Sequence, residues 1–399
     1  MKVLINAASS KIGGGLTYIS NILAELPAVA GDDRFLVVLP AAVLGDMAKN
    51  VDSRIIELML SPVDAGNIRQ RVVFDNWTIP RLIKSHGVDI LFSSTGFGTL
   101  RSPCPQVLLV PNAAYFCPTY QRKYEELGKS YRSIRFRRWW SVLSMMSADV
   151  VLFPSAAMQS VVSGHVSLKK KHTVVQHYGF NVDRFCSDAA EIPEIAGQMD
   201  EWRREGYKIV LHVSSYAVHK NLESLVEALP AVIASGRRLK VVTTLDRERT
   251  SDKVEFDALK ERIRDLGLSD VVVFAGHLLH EQLHDLYRRA DVFVFPSFVE
   301  SFGLPLVEAM ACGLPIVASD IAVNREVCGK AAAYFNTFSS TELSSVLGLL
   351  LDDEDMRRMM REQSLKRAGE FSWQSYVSSL MKVFREFSKG RHDATGRQD

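Results

Sequence analysis

The segment Asp291–Asp320 reads DVFVFPSFVESFGLPLVEAMACGLPIVASD, and its pattern predicts a strand, a helix and a second strand. The apolar runs Val292–Phe295 and Ile316–Ala318 are short and lack alternation, which is typical of strands covered on both faces. Pro305 lies where the intervening helix would begin, a position that proline favours. A strand, a crossover helix and a strand form a βαβ unit, so this segment predicts a parallel sheet.

The same alternation of strands and helices extends outward along most of the chain. Amphipathic segments such as Tyr18–Leu26, Leu222–Ile233 and Phe256–Leu266 separate the apolar runs. Two series of strands are expected, and they predict an α/β fold of two doubly wound domains. The first series is Val3–Ile5, Phe35–Leu39, Ile90–Phe92, Val107–Val110, Val150–Phe153 and Thr173–Val175, and the second is Ile209–Val213, Leu239–Val242, Val271–Phe274, Val292–Phe295, Ile316–Ala318 and Ala333–Phe335.

The break between the two series lies near Cys186–Gly206, where SDAAEIPEIAGQ interrupts the rhythm. We therefore expect an N-terminal Rossmann-like domain over 1–190 and a C-terminal one over 205–372. A last helix is predicted over 373–388, and the polar stretch 389–399 has the composition of a disordered tail.

Composition and charge exclude several classes of protein. The chain has 399 residues with 48 basic and 46 acidic side chains, a net charge of +2, so it is not a globally basic nucleic-acid-binding protein. The five cysteines are odd in number and form no C-x-x-C pair, which fits a reducing cytoplasm. No apolar run approaches the ~18–20 residues that span a bilayer. The start, MKVLINAASS, is typical of a strand rather than of a signal peptide.

Two carboxylates surround the helix start within the opening segment. Glu300 precedes that start, Gly303 allows a close backbone approach, and Glu308 follows about one turn later. Unpaired helix-terminal amides suit an anion, and carboxylates suit hydroxyl donors, so this pattern favours a nucleotide sugar. The alternative is an acidic helix start that only complements the helix dipole.

The surrounding motifs favour the first interpretation. ESFGLPLVEAMACGLPIV resembles the E-x7-E segment of family-4 retaining glycosyltransferases, and VVVFAGHLLHEQLHDLYRRADVFVFPS resembles the strand, glycine loop and helix that precede it. VLHVSSYAVHKNLESLVEAL resembles the first βα unit of the same family's donor domain. The resemblance covers roughly 209–336 well and FSWQSYVSSLMKVF more loosely. It implies the GT-B fold, in which two Rossmann-like domains face a central cleft and the last helix crosses back to the first domain.

The resemblance also implies a role for each matched residue. Glu300 would bind hydroxyls of the donor sugar, Glu308 would hold the ribose hydroxyls, and Lys220 would neutralise the departing diphosphate. The remaining donor-binding candidates are Ser215, Gly276, His277, Leu278, Ser301, Phe302, Gly303 and Leu304.

Three positions depart from the family's pattern. Ser215 stands where the family often has an arginine, five positions before Lys220, and Ser214 stands where it usually has glycine. Arg325 or Arg247 could replace the missing cation, or both could be ordinary surface residues. Asn112 stands where many members have histidine; it could bind a sugar hydroxyl or phosphate, or it could be a turn residue.

The first half contributes two further features. Gly14 and Gly15 belong to a glycine-rich strand–helix turn that resembles the family's N-terminal loop and could cradle phosphate, or could be a tight turn only. Tyr120–Trp140 concentrates basic and aromatic residues, a composition that suits an anionic membrane surface. The alternative is a helix with a solvated basic face.

These observations predict a retaining hexosyltransferase that moves a sugar from a UDP- or GDP-linked donor to a glycan or lipid-linked acceptor, in bacterial cell-envelope or polysaccharide biosynthesis. We expect no metal or other cofactor, since no D-x-D motif or His/Cys ligand set accompanies the motifs, and no nucleic-acid partner. The expected location is the cytoplasm, with contact to the inner face of the membrane left open. A sugar-nucleotide epimerase or phosphorylase on the same fold, and a non-catalytic nucleotide-sugar-binding protein, remain alternatives.

Overall fold

The computed structural model describes residues 1–10, 13–63, 67–185 and 193–389, and they form two compact units. The first unit contains Met1–Cys117, Gly128–Gly179 and the described residues from Ser372 onward. The second unit contains Pro118–Leu127 and Phe180–Phe371. The sequence predicted that the first domain ends at 190 and the second begins at 205. The observed boundary falls earlier, after Gly179, and Pro118–Leu127 belongs to the second unit. The predicted tail 389–399 lies, beyond Lys389, outside the described residues.

Each unit is built on one parallel sheet. The strand order is β3-β2-β1-β4-β5-β6-β7 in the first unit and β10-β9-β8-β11-β12-β13 in the second. The strands are β1 (Lys2–Asn6), β2 (Arg34–Pro40), β3 (Ile56–Ser61), β4 (Ile90–Ser93), β5 (Gln106–Leu109), β6 (Val150–Phe153), β7 (His172–Val175), β8 (Lys208–His212), β9 (Leu239–Thr243), β10 (Val272–Phe274), β11 (Val292–Phe295), β12 (Ile316–Ser319) and β13 (Ala332–Phe335).

Helices connect these strands. They are α1 (Gly13–Val29), α2 (Ala41–Asn50), α3 (Ile68–Val73), α4 (Ile79–His86), α5 (Pro118–Glu126), α6 (Arg132–Ser147), α7 (Ala156–Ser163), α8 (Val182–Phe185), α9 (Glu194–Arg204), α10 (Leu222–Ala234), α11 (Lys253–Asp265), α12 (His280–Arg289), α13 (Leu304–Ala311), α14 (Ala322–Cys328), α15 (Ser340–Asp352), α16 (Glu354–Ala368) and α17 (Trp373–Lys389). A π-helical turn, Phe74–Thr78, joins α3 to α4. Short 3-10 turns occur at Ala113–Phe116, Val218–Lys220, Arg247–Arg249 and Gly329–Ala331.

The predicted α/β class with two doubly wound domains is confirmed, and all twelve predicted strands occur. The exception to the prediction is β3, which the sequence did not reveal. Its middle residues, Glu57–Leu60, are partly or fully exposed because β3 lies at the edge of its sheet, so it lacks the continuous apolar run of the inner strands.

The strand order reverses direction between β1 and β4 in the first unit and between β8 and β11 in the second. At such a switch point the crossover connections leave on opposite faces, and a crevice forms outside the carboxyl ends of the strands. The loops that follow β8 and β11 are therefore neighbours. They carry most of the predicted donor-binding residues.

The last helix belongs to the first unit. Within that unit the Tyr18 and Tyr376 hydroxyls lie 2.6 Å apart, and Phe92 packs against Phe384 with ring centroids 5.4 Å apart. Burial raises the pKa of Tyr376 well above its ordinary value. α17 thus completes a core that begins with β1 and α1.

The second unit incorporates α5 from the first half of the sequence. The Tyr120 ring contacts His219 at 5.8 Å and Phe298 at 6.5 Å between centroids. The Lys123 ammonium lies 5.6 Å from the centre of the Phe338 ring. These contacts explain why Pro118–Leu127 belongs with residues that lie far beyond it in the sequence, such as His219, Phe298 and Phe338.

Candidate functional site

The switch point of the second unit brings Lys220 and Glu300 together. The Lys220 Nζ donates to Glu300 Oε1 at 2.6 Å, and both side chains are mostly buried, at 18% and 11% exposed. The Lys220 ammonium also lies 5.6 Å from the centre of the Phe295 ring. The cation predicted to neutralise the diphosphate and the carboxylate predicted to bind the sugar hydroxyls of one ligand are therefore direct neighbours.

Asn221 fixes this arrangement from the β8 side. It is the only non-glycine residue with a positive φ (55°) in the described part of the chain, a conformation that asparagine tolerates. Its amide donates to the carbonyl oxygens of Pro296 at 3.1 Å and Thr337 at 2.9 Å, and its own oxygen accepts from Ser224 at 3.0 Å. The turn that carries Lys220 is thereby held against the loop that carries Glu300.

α13 begins directly after Gly303, whose φ is 89°. A Cβ at that position would lie 3.0 Å from the Leu306 Cδ1, so both the backbone conformation and the space favour glycine. Phe302 is 1% exposed and packs against Phe371. The Phe302 side chain is therefore part of the core, and of this residue only the backbone is available to a ligand. Ser301 and Leu304 are half-buried beside it.

Glu308, in α13, is 5% exposed, and both of its oxygens have partners. Tyr287 donates its hydroxyl to Oε2 at 2.9 Å, and His280 Nε2 lies 3.2 Å from Oε1. Burial, followed by the Glu308 charge, raises the pKa of Tyr287 well above its ordinary value. The sequence did not single out either partner. The signal available was their spacing of seven residues, which places them on one face of α12.

The loop Gly276–Leu278 follows β10 and leads into α12. Gly276 has a φ of 72°, and His277 is exposed. One residue, Leu279, separates this loop from His280, which contacts Glu308. The structure brings the three loop residues to the carboxyl edge of the same sheet as Lys220, although β10 is the edge strand.

Two histidines lie at the Lys220 turn: His212 is fully buried, and His219, within the turn, is half-buried. His212 Nδ1 lies 3.1 Å from the Val294 carbonyl oxygen and Nε2 lies 2.8 Å from Ser214 Oγ. Burial lowers the pKa of His212 to about 4, and it lowers the pKa of His219 to about 4 as well. Both rings are therefore neutral at pH 7, and Lys220 remains the cation of this turn.

The positions that depart from the family's pattern occupy distinct environments. Ser214 is bonded on both sides: its hydroxyl lies against His212, and its backbone amide donates to Thr244. Ser215 is exposed. Arg247 forms an exposed pair with Asp257, and Arg325 forms one with Asp320. Both arginines thus have the surroundings of ordinary surface residues.

The first-unit candidates lie after β1 and β5. Gly14 and Gly15 belong to the first turn of α1, and Gly15 has room for a Cβ, with Ser10 Oγ at an ordinary 3.7 Å. Asn112 caps the 3-10 turn Ala113–Phe116 by accepting from the Ala114 amide at 3.0 Å. Its side-chain oxygen therefore has the local turn function that the sequence left open as an alternative.

A buried ion pair at the switch point of the first unit was missed from the sequence. Arg71 Nε donates to Asp75 Oδ2 at 2.6 Å, with the two side chains 3% and 0% exposed. Asp75 lies in the π-helical turn, a feature that is frequent at functional sites. Asn6, the last residue of β1, donates to Asp75 Oδ1 at 2.8 Å. Burial raises the pKa of Asp75, against Arg71 and Asn6, which lower it.

The remaining Arg71 donors connect two loops. One reaches Ser9, after β1, and another reaches Thr95, after β4, at 2.9 Å. Thr99 donates to the Asp75 carbonyl oxygen at 2.6 Å. Arg71 thus ties together the loops at the carboxyl edge of the first sheet, including the one that leads to Gly14 and Gly15.

The basic and aromatic segment Tyr120–Trp140 does not form one helix. α5 belongs to the second unit and α6 to the first. On α6, Phe136 and Trp139 are 41% and 54% exposed, whereas Trp140 is 6% exposed and belongs to the core.

Among the described residues, no group of three or more His, Cys, Asp or Glu side chains is arranged to hold a metal ion. No helix in this part of the chain is long and apolar enough to cross a membrane.

Part of the second unit is similar to a known protein family. Residues 198–367 match the model of the glycosyl transferases group 1. The chain is 35% identical over 143 residues to a D-inositol 3-phosphate glycosyltransferase of Corynebacterium jeikeium, a match that covers 35% of this chain and 33% of that protein. For the first three curated relatives, the match spans only 33% to 52% of the relative's length.

Solved structures extend the likeness to both units. The sucrose-phosphate synthase of Thermosynechococcus elongatus superposes with a TM-score of 0.75 at 18% identity, covering 97% of this chain and 98% of that one. Anabaena Alr3699/HepE, solved in complex with UDP and glucose, superposes with a TM-score of 0.71 at 19% identity, covering 97% and 100%. The predicted GT-B fold is confirmed, and within it residues 198–367 match the family model of the glycosyl transferases group 1.

Proposed function

We propose that this chain is a retaining glycosyltransferase that transfers a hexose from a UDP- or GDP-linked donor to a hydroxyl of a glycan or lipid-linked acceptor, in cell-envelope or polysaccharide biosynthesis. The observation that carries the proposal is the Lys220–Glu300 pair at the switch point of the second unit, beside the start of α13 and the buried Glu308. The family match of residues 198–367 and the UDP complex of the HepE neighbour support a nucleotide-sugar donor.

The proposed donor contacts three parts of the site at the same time. Its ribose hydroxyls donate to Glu308, its diphosphate accepts from the α13 amides and from Lys220, and its hexose hydroxyls donate to Glu300. Helix-terminal amides carry partial positive charge, and Lys220 adds a full one. Lys220 and these amides supply the charge stabilisation, so the proposal needs no metal ion.

The reaction exchanges one glycosidic bond for another. The acceptor oxygen bonds to the anomeric carbon from the face of the leaving group, while the bond from that carbon to the diphosphate oxygen breaks. The electron pair remains on the diphosphate, and the acceptor proton passes to it. Because negative charge develops on the diphosphate as this bond breaks, a preorganised cation at Lys220 stabilises the transition state more than the bound donor.

A panel of nucleotides and nucleotide sugars tests the proposal by thermal shift. A true donor at ~100 times its Kd should raise the stability by roughly 2.7 kcal/mol. Glu308→Ala should abolish the shift. Glu300→Gln should keep the shift with UDP or GDP and reduce release of nucleotide from the sugar donor by about 100-fold, since a charged contact to the reacting sugar is lost.

The matched control is Glu342→Gln, which removes an exposed carboxylate of the same unit that bonds the Asn336 amide. It should change neither readout. Parent-like transfer by both Glu300→Gln and Glu308→Ala would contradict the site assignment. Nucleotide-sugar binding without transfer to any glycan or lipid-linked acceptor would favour a binding protein, and conversion of the donor without acceptor would favour an epimerase.

We also propose that α6 brings the protein to an anionic membrane surface on the cytoplasmic side. The helix RSIRFRRWWSVLSMMS contains no acidic residue, and exposed Arg132 and Arg135 flank the exposed Phe136 and Trp139. Basic residues near a membrane contribute about 1 kcal/mol each, and aromatic rings suit its interface.

Vesicle sedimentation tests this contact. The protein should bind vesicles that contain about a third phosphatidylglycerol, and binding should weaken as salt screens the arginines. Trp139→Ala should reduce binding by about fivefold or more. Trp77→Ala, which removes an exposed tryptophan from the π-helical turn of the same unit, should have no effect. Equal binding by all three proteins would rule out α6 as the contact.

A further inference from the structure

Tyr287 holds the carboxylate to which the proposed function assigns the ribose. We propose that Tyr287 is a positioning residue, which fixes the orientation of the Glu308 carboxylate so that its remaining lone pairs face the ribose hydroxyls, and that the pair sets the preference for ribonucleotides over deoxyribonucleotides. This inference rests on the proposed nucleotide-sugar site. It concerns a residue that need not touch the ligand itself.

The geometry supports a fixed carboxylate. The Tyr287 hydroxyl lies 2.9 Å from Glu308 Oε2, and His280 Nε2 lies 3.2 Å from Oε1. Both partners come from α12, while Glu308 comes from α13. A carboxylate bonded at both oxygens cannot rotate about its terminal torsion without losing one bond or both.

The two partners differ in how firmly they are held. Tyr287 is 1% exposed, and its ring packs against Phe185 and Phe293 with centroids 5.9 and 5.4 Å away. The His280 side chain is 48% exposed. The buried, packed tyrosine therefore determines the orientation, and the histidine adds a weaker contact.

The hydrogen bond between Tyr287 and Glu308 can have only one direction. An ionised carboxylate only accepts hydrogen bonds, so Tyr287 must donate. The raised pKa of its phenol keeps that proton in place throughout the working range of pH. A carboxylate has about four lone-pair sites, and two are occupied by Tyr287 and His280, so the others remain for two vicinal hydroxyls. A deoxyribose offers one hydroxyl fewer.

The experiment compares UDP with 2′-deoxy-UDP, and GDP with 2′-deoxy-GDP, by calorimetry on the full-length protein. The parent should bind the ribonucleotide of its base at least tenfold more tightly than the deoxy form, because one charge-assisted hydrogen bond is worth about that factor. Tyr287→Phe deletes only the hydroxyl. It should weaken ribonucleotide binding by about tenfold and leave the deoxy form nearly unchanged, so the ratio should fall toward 1.

Two further variants separate positioning from general damage. Tyr334→Phe removes another phenol hydrogen bond of the same unit, the 2.7 Å one to the Gly329 carbonyl oxygen, and should leave the ratio intact. His280→Ala should lower the ratio by only two- to threefold. If Tyr287→Phe weakens both nucleotides of a pair by the same factor, or weakens neither, the positioning role is overturned. If the parent binds no nucleotide of the panel, the proposed function itself fails first.

Discussion

Gly179→Ala should destabilise the first unit by more than about 4 kcal/mol, or prevent it from folding. A Cβ at Gly179 would fall on the backbone of Ser372 and Trp373, at the point where the chain enters α17. A backbone clash cannot be relieved by a change of rotamer, so α17 would have to move away from its contacts with Tyr18 and Phe92. Urea unfolding and amide exchange across α17 measure the effect.

Two further variants keep this prediction testable if the Gly179→Ala protein does not fold. Gly45→Ala, in α2 of the same unit, meets nothing within 4 Å and should be neutral or stabilising by up to about 1 kcal/mol. Tyr376→Phe removes only the hydroxyl contact to Tyr18 and should cost about 1 kcal/mol. A Gly179→Ala protein as stable as the Gly45→Ala protein would show that the close approach is absent.

Arg71→Met should cost about 3–5 kcal/mol of stability, because it leaves the buried Asp75 carboxylate without its cation. The loss should be smaller at pH 5 than at pH 8. Burial already raises the pKa of Asp75, and removal of Arg71 raises it further, so the variant folds best with Asp75 protonated and loses that stability as pH rises. Urea unfolding at the two pH values measures both effects.

A compensating variant separates charge from geometry. Arg71→Met combined with Asp75→Leu removes both charges and should recover most of the loss, since buried ion pairs are often replaceable by apolar residues. Arg54→Met, which breaks an exposed pair with Asp52, should cause no measurable loss. If the double variant is as unstable as the single one, the bonds from Arg71 to Ser9 and Thr95 contribute more than the charge pair does.

The local pattern of apolar residues was sufficient to predict the strands of both sheets, except β3. The runs at β11 and β12 are apolar, short and separated by a helix with proline near its start, and such signals depend only on neighbours in sequence. β3 lacked this signal, since Glu57 and Leu60 are exposed at the sheet edge and Leu58 and Met59 are only partly buried. The strand order places the loop that carries Lys220 beside the loop that carries Glu300. The sequence motifs had assigned these two residues to one ligand.

The partners of the site residues could not be predicted in this way. Tyr287 and Glu308 are on different helices, and which side chains meet between them depends on packing rather than on spacing. Arg71 and Asp75 are charged residues, and charged residues are expected on the surface unless a partner is known. Asn112 shows the reverse case, since a local cap uses the side-chain oxygen for which the sequence had left a ligand role and a turn role open.

The chain passes from one unit to the other after Cys117, Leu127, Gly179 and Phe371, and this interleaving determines the order of folding during synthesis. The first unit starts to emerge from the ribosome before the second, yet it is finished only when the last helix has been made. Nascent domains usually close in the order of their synthesis. Here the second unit has all of its residues when Phe371 emerges. Tyr18 and Phe92 still lack their contacts with α17 at that point. The first unit therefore stays incomplete, with this part of its core exposed, until α17 has been made.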